Sequence, residues 1–376
     1  MWFATGLLSH APLRHTVLGP HNAVQARLGG YALRRAEQGS WPVMVADATG
    51  FVDGLLLDLS KDQAARLIFF MAAFRHQVCI VQVPAAQGDV SSTTLHADTN
   101  DLADWDSALW HARFADVTTA TAVDIMRLYG HLSPEVLAPR LNQMFVRAAS
   151  RRRAESPTQS TLRHEADPAD IRVTNRRLPY AQFFAVEEYD ISWRRFDGTM
   201  NCPAPRTGFI GGDAVTVLPY DPVRDRVLVI EQFRAGPYAR GDAQCWSLEA
   251  IAGRIDAGET PEVAGRREAL EEAGLVLTTL LPVANYYPSP GAVSEYLYSF
   301  VALTNLPDGS AGVFGLAEEA EDIRGHLIAF DRLMALVTSG EINNAPLILT
   351  ALWLQRARAS LRNDGQIAHP TPTAPA

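Results

Sequence analysis

Residues 253–275 read GRIDAGETPEVAGRREALEEAGL, and both ends of a helix are written into them. Thr260 is a good N-cap and Pro261 suits the first helical position. Gly274 suits the left-handed residue just past a helix end. The spacing therefore predicts a helix over 261–273. Within it Glu268 and Glu272 stand four apart, and Glu271 stands three from Glu268. All three carboxylates fall on one face, where like charges cost a helix roughly a few tenths of a kcal/mol per pair. Only Arg266 and Arg267 stand beside them. Val263 and Leu270 fall on a different face, which is expected to pack. Carboxylate oxygens are hard ligands that suit Mg²⁺ or Mn²⁺, and Mg²⁺ commonly combines a few carboxylates with substrate phosphate. Alone, three glutamates fit a solvated acidic face better than a metal site.

The longer pattern reverses that preference. Gly253 is followed by Glu259, then by Arg267-Glu268, apolar Ala269, Glu271-Glu272, Gly274 and apolar Leu275. Seven specified residues at about one in fifteen each give a chance match on the order of 10⁻⁶ for such a chain. The stretch resembles the signature of the Nudix hydrolases at every fixed position. The flanks resemble the ADP-ribose pyrophosphatases within that family: VLVIEQFRAG (227–236) and SLEAIAGRID (247–256) upstream, Pro290 within YYPSPGAVSE (286–295) downstream, and the acidic stretch GLAEEAEDIR (315–324). The resemblance covers roughly 171–362. The alternative within the same chemistry is a sugar-nucleotide hydrolase, with GDP-mannose hydrolases as the nearest competitors, or another nucleoside diphosphate-X hydrolase. A non-catalytic ADP-ribose sensor is the alternative of another class, disfavoured by the intact carboxylate cluster.

The resemblance implies roles. Glu268 and Glu272 are the main metal ligands, with Glu271 close behind and the carbonyl of Ala252 as a further ligand. Arg267 orients Glu259 or a ligand by ion pairing. Glu321 is the chosen base for activating water, with Glu318 and Glu319 as alternatives. Arg234 grips the diphosphate with two prongs, Glu249 contacts the adenine or ribose side, and Pro290 belongs to the substrate side. The implied reaction is Mg²⁺-dependent (Mn²⁺ possible) hydrolysis of ADP-ribose to AMP and ribose 5-phosphate, and the implied assembly is a homodimer. The implied fold is an α/β/α sandwich around a mixed sheet.

Composition fits this reading. The 376 residues leave room for two or three domains, and 47% hydrophobic with 20% charged residues is ordinary for a globular protein. A net charge of −9 argues against nucleic-acid or anionic-membrane partners, but leaves room for a small phosphorylated ligand. Cys79, Cys202 and Cys245 form no CxxC, so buried free thiols in a reducing compartment are expected rather than a disulfide or zinc framework. The N-terminus MWFATGLLSHAPLRH lacks a signal-peptide pattern, and no run of about eighteen apolar residues predicts a membrane span. A cytoplasmic location is expected.

The first 103 residues carry a separate pattern. FATGLL and FVDGLLLDL read as strands, Ser60 caps a helix over KDQAARLIFFMAAF, and QVCIVQVPA is a strand. Residues 89–103 read as polar and turn-rich. This part resembles the gamma-glutamylcyclotransferase-like fold, a β-barrel/α+β domain, whose first-strand loop F-x-Y-G-T/S-L stands here as Phe3-Ala4-Thr5-Gly6-Leu7-Leu8. The family's catalytic glutamate falls on Met71, which cannot move protons, so a non-catalytic shell is implied. Fusions of this type occur in bacterial proteins labelled tellurite resistance. Residues 104–155 read as a helical connector, with helices read over 104–130 and 133–156; 156–170 (SPTQSTLRHEADPAD) reads as a linker, and 363–376 as a disordered tail. The fold class is α+β overall.

Overall fold

The computed structural model describes residues 1–36, 41–85, 88–96, 103–156, 160–182, 184–315 and 321–367. The chain divides into two units between Glu165 and Ala166.

In the first unit the elements run β1 (Trp2–Ala4), α1 (Ala11–Leu18), β2 (Asn22–Arg35), β3 (Pro42–Asp58), α2 (Lys61–Ala72), β4 (Gln77–Ala85), β5 (Gly88–His96), α3 (Ser107–Arg113), α4 (Ala115–Arg127) and α5 (Leu141–Ala154). The strands form one sheet in the order β2-β3-β1-β5-β4. Phe3, Leu28, Met44, Val52, Leu56, Val81 and Val83 form a core on it. Helix α2 starts where the sequence places it. The Ser60 side chain accepts from the Gln63 N–H while Gln63 accepts from the Ser60 N–H, a full capping box. Leu67, Phe69, Phe70 and Met71 are its buried residues.

Three expectations for this unit need correction. Residues 88–96 are a strand, not a turn-rich segment; β5 pairs antiparallel with β4 from Gln77↔His96 to Ala85↔Gly88. Pairing supplies the ladder that a Ser/Thr-rich sequence does not advertise. The helix read over 104–130 is broken at Phe114, where φ is −123°. The helix read over 133–156 begins only at Leu141, after two short 3₁₀ turns that hold Pro134 and Pro139. Proline removes the N–H that a continuous helix requires. Helices α1 and α4 pack together, as do α4 and α5, so residues 104–155 lie within the first unit.

The second unit opens with an antiparallel three-stranded sheet of β6 (Ile171–Ala181), β7 (Ala185–Trp193) and β8 (Ala204–Ile210), which the sequence did not announce. Strand β6 carries two register shifts and Pro179, so no clean alternation marks it. Then follow β9 (Ala214–Asp221), β10 (Arg226–Phe233), α6 (Ala235–Arg240), β11 (Trp246–Glu249), β12 (Ile251–Arg254), α7 (Pro261–Ala273), β13 (Thr279–Tyr286), β14 (Leu297–Leu303), β15 (Val313–Phe314), β16 (Ile323–Ala329), α8 (Phe330–Ser339) and α9 (Ala345–Ile367). The second sheet runs β13-β14-β9-β10-β16-β15 and is mixed, because β9 and β14 are parallel.

The β9–β10 hairpin holds only two register pairs before it opens. β12 then pairs with β9, and β11 pairs with β10. Helix α7 packs on one face with Val215, Val217, Leu228, Ile230 and Ile323. Helices α8 and α9 pack on the other with Leu218, Val227, Val229, Leu333 and Leu347. The opened hairpin thus points β10, β11 and β12 toward the glutamate helix.

None of the described helices is long and apolar enough to cross a membrane. Of the tail expected over 363–376, residues 363–367 continue α9 instead, and 368–376 lie outside the described residues.

Candidate active site

Helix α7 spans Pro261–Ala273, with the Thr260 side chain accepting from the Val263 N–H and Gly274 left-handed at φ 63°. The expectation that the acidic face and the packing face differ is wrong. Val263 and Leu270 are 49% and 56% exposed. The buried residues are Ala264, Gly265, Glu268, Ala269, Glu272 and Ala273, a stripe at i, i+1, i+4, i+5, i+8, i+9 in which small residues and glutamates share one face. Ala and Gly let the helix lie close to β9 and β12, and that closeness buries the carboxylates. Small residues carry little hydrophobic signal, so the packing face was hidden in the sequence.

Glycine 253 on β12 makes room for this. A Cβ there would stand 1.9 Å from the Glu268 carboxylate. Glu268 lies against bare backbone, and Glu272 Oε2 accepts from the Ala252 N–H at 3.0 Å. Arg267 ties the rest together. Its Nε and Nη2 each donate to the Glu259 carboxylate at 3.0 Å. Its Nη1 donates to Glu268 at 2.7 Å and Glu271 at 3.0 Å, and Nη2 also reaches the Arg254 carbonyl at 2.9 Å.

Burial pushes the Glu268 carboxyl up to about 7, against the pull of Arg267 and with help from Glu271 and Glu321. Burial pushes Glu272 up to about 8; the Ala252 N–H and Arg234 oppose this, while Glu268 and Glu321 add to it. Two buried acids resist joint ionisation unless a cation joins them. Hard oxygen donors that repel one another in a low-dielectric site fit a divalent cation. Among the described residues, no three acidic, His or Cys side chains already converge on one point. Glu268 and Glu271 turn to Arg267, and Glu272 turns to Ala252.

Just after β10 and at the end of β11, Arg234 and Glu249 form a two-pronged pair: Nε to Oε1 at 3.0 Å and Nη2 to Oε2 at 2.8 Å. Glu249 is 6% exposed. Arg234 also feels the charges of Glu272 and Glu321, so this pair and the α7 carboxylates belong to one site. Arg234 was expected to grip substrate with two prongs, yet Glu249 occupies both Nε and Nη2, which leaves Nη1. Pro290 lies in an exposed turn in which the Ser289 carbonyl accepts from Ala292 and Val293. The residue from that segment that reaches the site is Glu295, which the sequence reading did not single out. Burial raises its carboxyl, and Arg254 and Arg234 hold it down.

Arg254 was missed too. Its guanidinium stacks over Phe184 at 5.3 Å from the ring centre, and Phe184 meets Phe209 at 4.7 Å. Arg254 is the variable residue just after the signature glycine, so no spacing rule marks it. Of the candidate bases, Glu321 is described; Glu318 and Glu319 lie outside the described residues.

Residues 212–348 match the family model of the NUDIX domain. An ADP-ribose pyrophosphatase of Escherichia coli is 38% identical over 195 residues, which are 52% of this chain and 92% of that protein. An ADP-ribose pyrophosphatase of Haemophilus influenzae is 31% identical, over 51% of this chain and 89% of that protein. A GDP-mannose pyrophosphatase of Salmonella paratyphi B is 33% identical over 144 residues, 38% of this chain and 74% of that protein.

Proposed function

From the premise that the chain belongs to the Nudix family and is a Nudix hydrolase, we propose that it cleaves the diphosphate of ADP-ribose to AMP and ribose 5-phosphate. The observation that carries this reading is one site with two halves: buried carboxylates on α7 raised to about 7 and about 8, and Arg234 facing them. One half suits cations and the other suits anions, which is what a metal-bound diphosphate presents. The similarity to the Escherichia coli enzyme across most of its length supports ADP-ribose as the substrate.

Glu268, Glu272, Glu271 and the Ala252 carbonyl would hold Mg²⁺ or Mn²⁺, which when bound neutralises charge on the non-bridging phosphate oxygens. Arg267 positions Glu268 and Glu271 while locked to Glu259. Arg234, braced by Glu249, offers Nη1 to a phosphate oxygen. Glu321, with Glu318 and Glu319 as alternatives, takes the proton of the attacking water, a role worth roughly 10²–10⁴ in rate.

A second reading, GDP-mannose as substrate, is favoured only by the Salmonella relative, which spans less of this chain. A homodimer is supported by β6, where Ile171, Val173, Leu178 and Tyr180 are all exposed. The first unit is read as a cyclotransferase-like shell without that activity, since Met71 is buried where an acid would be needed. The three cysteines are free thiols, which fits a cytoplasmic setting, but only Cys245 is buried as expected; Cys79 is half-buried and Cys202 exposed.

The test is a panel of ADP-ribose, GDP-mannose, NADH and a gamma-glutamyl peptide with purified protein and Mg²⁺. AMP release from ADP-ribose at least tenfold faster than release from the others is expected. Preference for GDP-mannose would move the substrate, binding without turnover would leave a sensor, and glutamate release would overturn the reading of Met71.

A further inference from the structure

Gln232 is 7% exposed, and its amide nitrogen Nε2 is buried with no hydrogen-bond partner among the described residues. An orphaned buried donor costs a protein stability and calls for a reason. Its place on β10 supplies one. Side chains alternate along a strand, and Leu228 and Ile230 both belong to the core under α7. Gln232 and Arg234 therefore continue the same face, toward the end of the strand where the hairpin has opened. The backbone stays extended through Arg234, at φ −128° and ψ 130°.

The neighbours across the ladder agree. Gln232 stands opposite Ser247, and Ile230 stands opposite Glu249. Arg234 reaches back along this face to clasp Glu249, so its side chain passes over the place where Gln232 stands. On the other side, Ile323 of the same core follows Glu321 by two positions. Register and alternation thus put Gln232 on the same face of the sheet as Arg234 and Glu249.

We propose that Nε2 of Gln232 donates a hydrogen bond to a non-bridging oxygen of the substrate diphosphate, beside the free Nη1 of Arg234. The inference rests on the site's being a diphosphate hydrolase. A neutral amide donor next to a guanidinium selects an oxyanion, and it does so without adding charge that would compete with the carboxylates for cations. A donor with no protein partner among the described residues can meet the ligand without first breaking a bond, which keeps reorganisation on binding small.

The test compares wild type with Gln232→Met, a change that keeps the size of the side chain and removes its donor. Affinity for the methylene-bridged, non-hydrolysable analogue of ADP-ribose is measured by calorimetry, and so is the thermal midpoint of the transition that this analogue shifts. The variant is expected to bind the analogue about tenfold more weakly or worse. Without ligand its midpoint is expected to rise by about 2–4 °C, because an unsatisfied buried donor is gone. A structural role for Gln232 would lower the midpoint instead. Unchanged affinity overturns the proposal. If the variant fails to fold, a crystal structure of wild type with the analogue decides: Nε2 within hydrogen-bond reach of a phosphate oxygen supports it, and no ligand oxygen near Nε2 overturns it. If wild type does not bind the analogue at all, the substrate reading falls and takes this inference with it; if wild type binds but Gln232 is indifferent, only this inference falls.

Discussion

Helices α2 and α7 start alike and pack in opposite ways. Each begins at a hydroxyl N-cap, Ser60 and Thr260, whose side chain accepts from a backbone N–H three residues on. Helix α2 buries bulk: Leu67, Phe69, Phe70 and Met71. Helix α7 buries almost none, setting Ala264, Gly265, Ala269 and Ala273 against the sheet and carrying Glu268 and Glu272 in with them. A helix packed by large side chains stands off its neighbour and is stabilised by the area it buries. A helix packed by small ones comes close enough to press carboxylates onto backbone, and gives up some stability to do so. The first design suits a scaffold, and the second suits a site that gains a cation.

The difference can be broken most severely at Glu272. Glu272→Gln keeps a carbonyl oxygen to accept from Ala252 and removes the charge. Loss of Mg²⁺-dependent AMP release by a factor of about 10³ or more is expected, above the contribution of a single general base, with an unchanged circular dichroism spectrum. Full activity would remove α7 from the chemistry. Gly253→Ala comes next. Its new Cβ would overlap the Glu268 carboxylate, and a displacement of about 1 Å in a reacting constellation costs on the order of 10²-fold in rate. Steady-state kinetics on ADP-ribose checks this, and a variant within twofold of wild type would refute the close-packing account.

Met71→Glu puts an acid on the other helix, in a pocket lined by Phe3, Leu7, Leu33, Met44 and His76 among others. Burying it is expected to destabilise the first unit by about 3 kcal/mol, read as a lowered denaturant midpoint, while ADP-ribose hydrolysis stays within twofold of wild type.

The smallest expected effect concerns pH. The ordinary glutamate value is 4.5, and burial lifts Glu268 to about 7 and Glu272 to about 8. Folded protein holds these protons more tightly than unfolded chain. The associated stability is fully present below about 4.5 and is lost as pH rises through about 7 to 8. Calorimetry without metal should show the melting point of the second unit falling between pH 5.5 and pH 8.5. Added Mg²⁺ should restore more of it at the higher pH, and equal restoration at both would contradict the assignment.

The parts of the fold that the sequence made legible are those with local punctuation. Helix α7 could be bounded at Thr260 and Gly274, and α2 at Ser60, because caps are local chemistry. Strand β5 and the sheet of β6, β7 and β8 were not legible, since their pattern depends on pairing partners far along the chain. The same divide runs through the site. Glu268, Glu271, Glu272 and Arg267 stand at helical spacing, and the structure brings Glu268 and Glu271 onto Arg267 while Glu272 turns to Ala252. Glu295, Arg254 and Gln232 arrive singly from a loop and two strands. Only the opening of the β9–β10 hairpin gathers them, and no spacing encodes that. The packing face of α7 was misread for a related reason: alanine and glycine look featureless until a sheet lies against them.

The central claim is that the buried carboxylates of α7 exist to hold a divalent cation. Its most direct test is an electron paramagnetic resonance titration with Mn²⁺, in the presence of the methylene-bridged ADP-ribose analogue, on wild type and on the variant carrying Glu268→Gln and Glu272→Gln together. Wild type is expected to take up Mn²⁺ and the folded double variant to bind it at least about 100-fold more weakly, as removal of two charged ligands implies. Equal uptake by the two proteins would contradict the account.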